Sequence, residues 1–228
     1  MDRRAKPSRQ PPPRRWRTVL AWGLVGLAAW VLATVPTLLA WHLSSDVQHA
    51  GAPGLWLMTA VLAGLVLGGA HRSSRMAARG AVAGLGAIVA ANLVLWPVLL
   101  RFFYPSLSGE VGDGHLIDLV VPLILGTVFV PVFGWVLLGG RRWWVFLLAA
   151  LLTVPPWAGA MWLVSPPPGA ADLVVVAWSV VLPALAMGSA VGLGTGVHHA
   201  LLEESAGAPP HPSTRGRAPE PAPRPAAP

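Results

Sequence analysis

The chain has 228 residues, 54% of them apolar and only 11% charged; a soluble domain carries roughly 25% charged residues, so an ordinary soluble globular fold is excluded. The net charge of +7 does not point to nucleic acid, because the 16 Lys and Arg residues sit in short segments between long charge-free stretches, which is a pattern of membrane topology. With no cysteine, disulfides, thiolate metal centres and cysteine nucleophiles are excluded as well.

The stretches without Asp, Glu, Lys or Arg are residues 18–45, 47–71, 80–100, 119–140, 143–171 and 173–202. A helix rising about 1.5 Å per residue crosses a hydrocarbon core of about 30 Å with roughly 20 residues, so each stretch predicts one span. The expected fold class is all-α: six transmembrane helices (about 18–41, 54–70, 80–100, 117–139, 143–165 and 173–197) within residues 16–202, between disordered tails at 1–15 and 203–228. Runs such as Leu116 to Leu138 are apolar at both parities, which excludes the alternation of a barrel strand.

In chain order, the basic, Pro-rich tail has too little apolar surface to form a core. The run after it is too long for a signal-peptide h-region and is expected to stay as the first span. That span holds Thr34, Pro36 and the small pair Ala29 and Ala33. His42, Asp46 and His49 follow at i, i+4, i+7, so a helical extension of the first span would set them on one face, with His115 as a fourth candidate metal ligand; solvated loop histidines are the competing reading. The second span carries Gly64 and Gly68, and Arg72, Arg75 and Arg79 follow it. In the third span, Asn92 and Pro97 place a polar group and a missing backbone donor at membrane depth. Arg101 ends that span and Asp118 starts the next, so the two are expected to form a structural ion pair. Arg141 and Arg142 separate the fourth span from the fifth, which carries Pro155. The sixth holds Gly188, Gly192 and Gly196 at four-residue spacing, a face that lets another backbone approach closely.

Even-numbered spans finish on glycines followed by His or Arg, and odd-numbered spans carry a proline toward the other end. An internal threefold duplication, which would put a site between repeats, is one reading of this resemblance; the favoured one is local helix-end chemistry, a left-handed glycine cap with cations at the negative dipole end. His198 and His199 are read in the same way, as caps of the sixth span.

Fifteen of the 16 basic residues fall on one side of the six spans, and only Arg101 does not. The positive-inside rule then sets both termini in the cytoplasm of a bacterial-type inner membrane. No phosphate loop, nucleophile elbow or His-Glu-x-x-His motif occurs. The expectation is a non-enzymatic chain without cofactor, acting as a transport component (a permease or a substrate-binding membrane subunit) with a cavity near Thr34, Pro36, Asn92, Pro97 and Pro155. The alternative is a scaffold or regulatory subunit working through its glycine faces. Expected partners are the lipid bilayer, a membrane or ATPase subunit, and further copies of the chain, but not nucleic acid.

Overall fold

The computed structural model describes residues 15–43, 45–102, 114–140, 142–163 and 172–207; of the expected tails at 1–15 and 203–228, residues 1–14 and 208–228 lie outside them, and residues 15 and 203–207 are helical. Among the described residues are six helices and no strand: α1 (Arg15–Leu43), α2 (Ser45–Gly69), α3 (Ser74–Phe102), α4 (Gly114–Leu138), α5 (Trp143–Leu163) and α6 (Asp172–Gly207). The chain is an all-helical, multi-pass membrane bundle. Five helices are long and apolar enough to cross a bilayer, while the described apolar part of α2, Gly54–Gly69, is shorter. Helices are the solution here because a segment in lipid has to satisfy its own backbone N–H and C=O groups. Prolines lie inside α1, α3, α4, α5 and α6, and each helix continues through them.

Each helix packs on its neighbours in the chain, α6 returns to pack along α1, and α4 also touches α6, so the six form a closed ring. The middle of that ring is filled. Trp30 of α1 meets Phe129 of α4 edge-on at 5.4 Å, and Phe129 stacks on Phe133 at 5.6 Å. Phe146 and Leu67 are fully buried beside them. The outward faces carry Leu24, Leu32, Leu93, Leu100 and Leu152, all well exposed, as a lipid-facing surface must.

Two seams are built on glycine. Between α2 and α3, a Cβ on Gly64 would strike the Gly80 carbonyl and a Cβ on Gly80 would strike the Gly64 carbonyl, while one on Gly68 would meet the Met76 carbonyl. Between α6 and α1, a Cβ on Gly192 would come within 2.6 Å of the Trp22 carbonyl oxygen, one on Gly196 within 2.7 Å of the Val19 Cα, and one on Gly188 within 2.9 Å of the Trp30 Cβ. All five glycines singled out in the sequence therefore sit against another helix of the same chain, where backbone-to-backbone approach gives van der Waals packing.

Two expectations about element ends need correction. The expected first and second spans, about 18–41 and 54–70, are too short at their facing ends: α1 runs to Leu43 and α2 begins at Ser45, a Ser-Asp start of the kind that favours a helix N-terminus. At the other end of the chain, α6 continues to Gly207, ten residues past the expected limit of its span. Ala200, Leu201, Leu202, Glu203 and Glu204 are good helix formers, and Gly194 and Gly196 lie in the helix interior. His198 and His199 therefore do not cap a helix. The left-handed glycines are Gly139 and Gly140 (φ 84° each), between α4 and α5, whereas in the α2–α3 turn the left-handed residue is Arg72 (φ 55°).

Candidate functional site

One end of the bundle gathers the start of α1, the α2–α3 and α4–α5 turns and the end of α6, and with them Arg15, Arg17, Arg72, Arg75, Arg79 and Arg142. Packing differs between this basic end and the opposite half.

In the opposite half the core is loose. A groove of ≈ 470 Å³ opens on the lipid face of α2 and α3, lined by Leu57, Ile88, Asn92, Leu93, Trp96 and Pro97. Ile88, Asn92 and Trp96 also border a second cavity of ≈ 130 Å³, which reaches inward to Trp56, Val121 and Leu125. Beyond Trp56 lie two voids of ≈ 10 Å³ each, one beside Trp30, Thr59 and Ala184, the other beside Pro122, Gly126, Val154 and Pro183. Each is about the size for a single water. Trp56 borders all three inner spaces. At about 1.5 Å per residue, Asn92 lies about 27 Å from the start of α3 and Trp56 about 20 Å from the end of α2, so the chain of spaces sits in the half of the membrane away from the basic end.

The polar groups at this level are few. Asn92 donates from Nδ2 to the Ile88 carbonyl at 2.8 Å, a bond within its own helix that leaves its side-chain oxygen for another partner. Thr37 donates to the Ala33 carbonyl at 2.8 Å and accepts from Thr59 at 3.2 Å, which joins α1 to α2. Trp30 is 2% exposed, and its Nε1 makes no hydrogen bond within the protein.

The basic end is closed by side chains from every surrounding element. Trp22 of α1 stacks on His71 at 4.6 Å and on His199 at 4.8 Å, and the two histidines are 5.4 Å apart. A sandwich would separate the histidines by the sum of the two stacking distances, so both lie over the same face of the indole. His71 is held in place by a tight turn in which Ala70 N donates to Val66 O (3.0 Å) and Arg72 N to Gly69 O (2.8 Å). Around this stack, Arg15 pairs with Glu204 at 3.2 Å, Arg79 Nε donates to the Val136 carbonyl at 2.6 Å, and Arg142 Nη2 donates to Ser205 Oγ at 3.3 Å. His71 Nε2, His198 Nδ1, His199 Nε2 and Arg142 Nη1 are shielded from solvent and find no partner within the protein. Burial, and then the neighbouring His199, lower the pKa of His71 below the ordinary imidazole value.

Nothing among family models, curated proteins or solved structures matches this chain.

Of the five residues expected near a cavity, Asn92 and Pro97 line the same groove. Thr34 is buried on α1 and donates to the Val31 carbonyl at 2.7 Å, while Pro36 on α1 and Pro155 on α5 are exposed on other faces of the ring. His42 is exposed in the last turn of α1, whereas Asp46 and His49 belong to α2, so the single helical face expected for these three is not formed. The side chains of Asp46, His49, His115 and Asp118 lie outside the described residues, and with them the expected Arg101 to Asp118 pair; Arg101 itself is exposed at the end of α3. Among the described residues no group of three or more His, Cys, Asp and Glu converges as a metal site does. Sequence reasoning missed Trp56, which reads as one more interfacial tryptophan, and the Trp22, His71 and His199 stack, whose members are far apart in the chain.

Proposed function

We propose that this chain is a non-enzymatic transport component that takes an apolar or weakly polar small molecule from the lipid side into the half of the bundle around Trp56. The observation that carries this reading is the pair of spaces on either side of Asn92 and Trp96, one open to lipid and one leading inward, set against the side-chain closure of the opposite, basic end. Closure toward one membrane face with access from the other half of the bilayer is an asymmetry that a transport cycle would have to reverse. By the positive-inside rule the basic end is cytoplasmic, so these spaces lie toward the outer leaflet.

The scaffold alternative draws less support, because the glycine faces it relied on are occupied within the chain by α1 and α3. An ATPase or second membrane subunit remains the natural energy source for such a chain, which has no nucleotide-binding loop among its 228 residues.

The native chain has no cysteine, so a single thiol at Asn92→Cys gives a clean probe. Reconstituted in vesicles, it is expected to react with a small impermeant thiosulfonate from the side opposite the basic end, and more slowly from the basic side as the clasp opens. Reaction from one side only, at every time and pH tested, would contradict transport and favour a static binding or scaffold role.

A further inference from the structure

A second groove, of ≈ 480 Å³, lies on the lipid face between α4 and α5, bordered by Thr127, Val128, Val132, Trp135, Trp143 and Leu147. It differs from the Asn92 groove in its polar group and in its floor. Its one hydroxyl, on Thr127, is spent on the Leu123 carbonyl at 2.6 Å, and the residues beneath it, Phe133, Val130 and Phe146, are fully packed. Its axial extent is also that of one leaflet: from Thr127 to Trp135 is about 12 Å of helix, against about 15 Å for half a hydrocarbon core.

The mouth of this groove is at the basic end, and its chemistry is cationic and hydrogen-bond donating. Trp135 and Trp143 are 57% and 50% exposed there, at the depth where indoles meet headgroups. The turn between the two helices is Gly139–Gly140; the Trp135 Nε1 lies over Gly140, where an added Cβ would come within 2.6 Å of it, and the Arg79 guanidinium lies over Gly139, with Nη2 at 3.3 Å from such a Cβ. Arg79 is exposed and is held there by its Nε bond to the Val136 carbonyl, a bond that does not use its terminal nitrogens.

We propose that this groove binds one anionic glycerophospholipid of the leaflet at the basic end, with an acyl chain along Val128, Val132 and Leu147 and its phosphate on Arg79 and the Trp135 indole N–H. Charge complementarity selects the occupant: an apolar trough of one-leaflet length with a cation and an N–H donor at its mouth matches a lipid anion better than a peptide helix, which would leave Arg79 uncompensated. The site does not depend on the transport reading.

The test is native mass spectrometry of the full chain released from detergent with equal amounts of phosphatidylglycerol and phosphatidylcholine of matched acyl chains. The expected result is retention of one phosphatidylglycerol per chain, with the preference reduced about fivefold in Arg79→Gln and kept in Arg75→Gln, which removes the same charge one turn earlier on α3. Val132→Trp, which fills the trough, is expected to lose both lipids, and glycerol phosphate without acyl chains is expected not to compete. Equal loss of preference in Arg79→Gln and Arg75→Gln would overturn the proposal in favour of diffuse charge. Displacement by glycerol phosphate would overturn it in favour of a simple phosphate site.

Discussion

The indole of Trp22 and the imidazole of His199 lie 4.8 Å apart and within 15° of parallel, which ties the first helix to the last at the basic end of the ring. The same indole face carries His71 at 4.6 Å, so one side chain joins α1, the α2–α3 turn and α6. Stacked aromatic pairs contribute about 0.5–1.5 kcal/mol each beyond their burial. Trp22→Leu keeps apolar bulk and loses both stacks, and is expected to cost about 1–3 kcal/mol on that basis. A lowered melting temperature of the detergent-solubilised protein, with faster hydrogen exchange confined to the α2–α3 turn and the end of α6, is the expected readout.

His71, in the α2–α3 turn, gives this end a pH dependence. Its pKa is lowered in the folded state, so the open state, with an imidazole near the ordinary value of about 6.5, takes up a proton more readily. The closure is therefore at full strength above about pH 6.5 and weakens as pH falls below it. Exchange at the α2–α3 turn is expected to accelerate between pH 7 and pH 5, and His71→Gln is expected to make that acceleration smaller. A profile unchanged by His71→Gln would remove His71 from this role.

The glycine seams give a prediction with its own control. Gly64→Ala places a methyl against the Gly80 carbonyl and cannot be relieved by rotating a side chain, so a loss of about 1–3 kcal/mol or more is expected. Gly86, on the same α3 as Gly80, has nothing within 4 Å of an added Cβ, and Gly86→Ala is expected to be neutral or to add up to about 1 kcal/mol through helix propensity. Gly192→Leu is expected to prevent the α1–α6 pairing altogether, and so to reduce the yield of folded protein before any partner is considered. Thermal melts of the three variants side by side separate these outcomes.

Asn92 separates function from stability. Its visible bond is to its own helix, at 2.8 Å from the Ile88 carbonyl, and its neighbours in the groove are apolar. Asn92→Leu is expected to leave the melting temperature unchanged or slightly raised while abolishing uptake. A large loss of stability would show that Asn92 holds the bundle together and would withdraw it from the candidate site.

The fold was legible in the sequence because charge placement in a membrane chain is a strong constraint: one charged residue at depth costs more than a helix gains from most other choices, so six charge-free stretches mark six helices. Helix ends were less legible. Gly194 and Gly196 look like a terminus, but Gly194 is packed against Phe146 of α5 and Gly196 against Val19 and Trp22 of α1 within a continuous helix, and the extension beyond them is supported by Arg15 and Arg142 reaching Glu204 and Ser205. The groove at Asn92 and Pro97 falls where one span carries both a polar group and a proline. Its inward continuation is not marked in this way, since Trp56, Val121 and Leu125 come from other helices and carry no local signal. The stack of Trp22, His71 and His199 was hidden for the same reason: these residues are neighbours only once the ring has closed.

The central claim is a bundle whose basic end faces the cytoplasm with both tails, and single-cysteine topology mapping tests it most directly, since the native chain has no cysteine. Variants Ser8→Cys and Ser213→Cys in the tails, and Ser106→Cys and Ser165→Cys between spans, are to be treated with an impermeant maleimide in intact cells and again after lysis. Ser106→Cys and Ser165→Cys are expected to label in intact cells, and Ser8→Cys and Ser213→Cys only after lysis. Labelling of one tail but not the other in intact cells would mean an odd number of crossings and would contradict the six-helix topology.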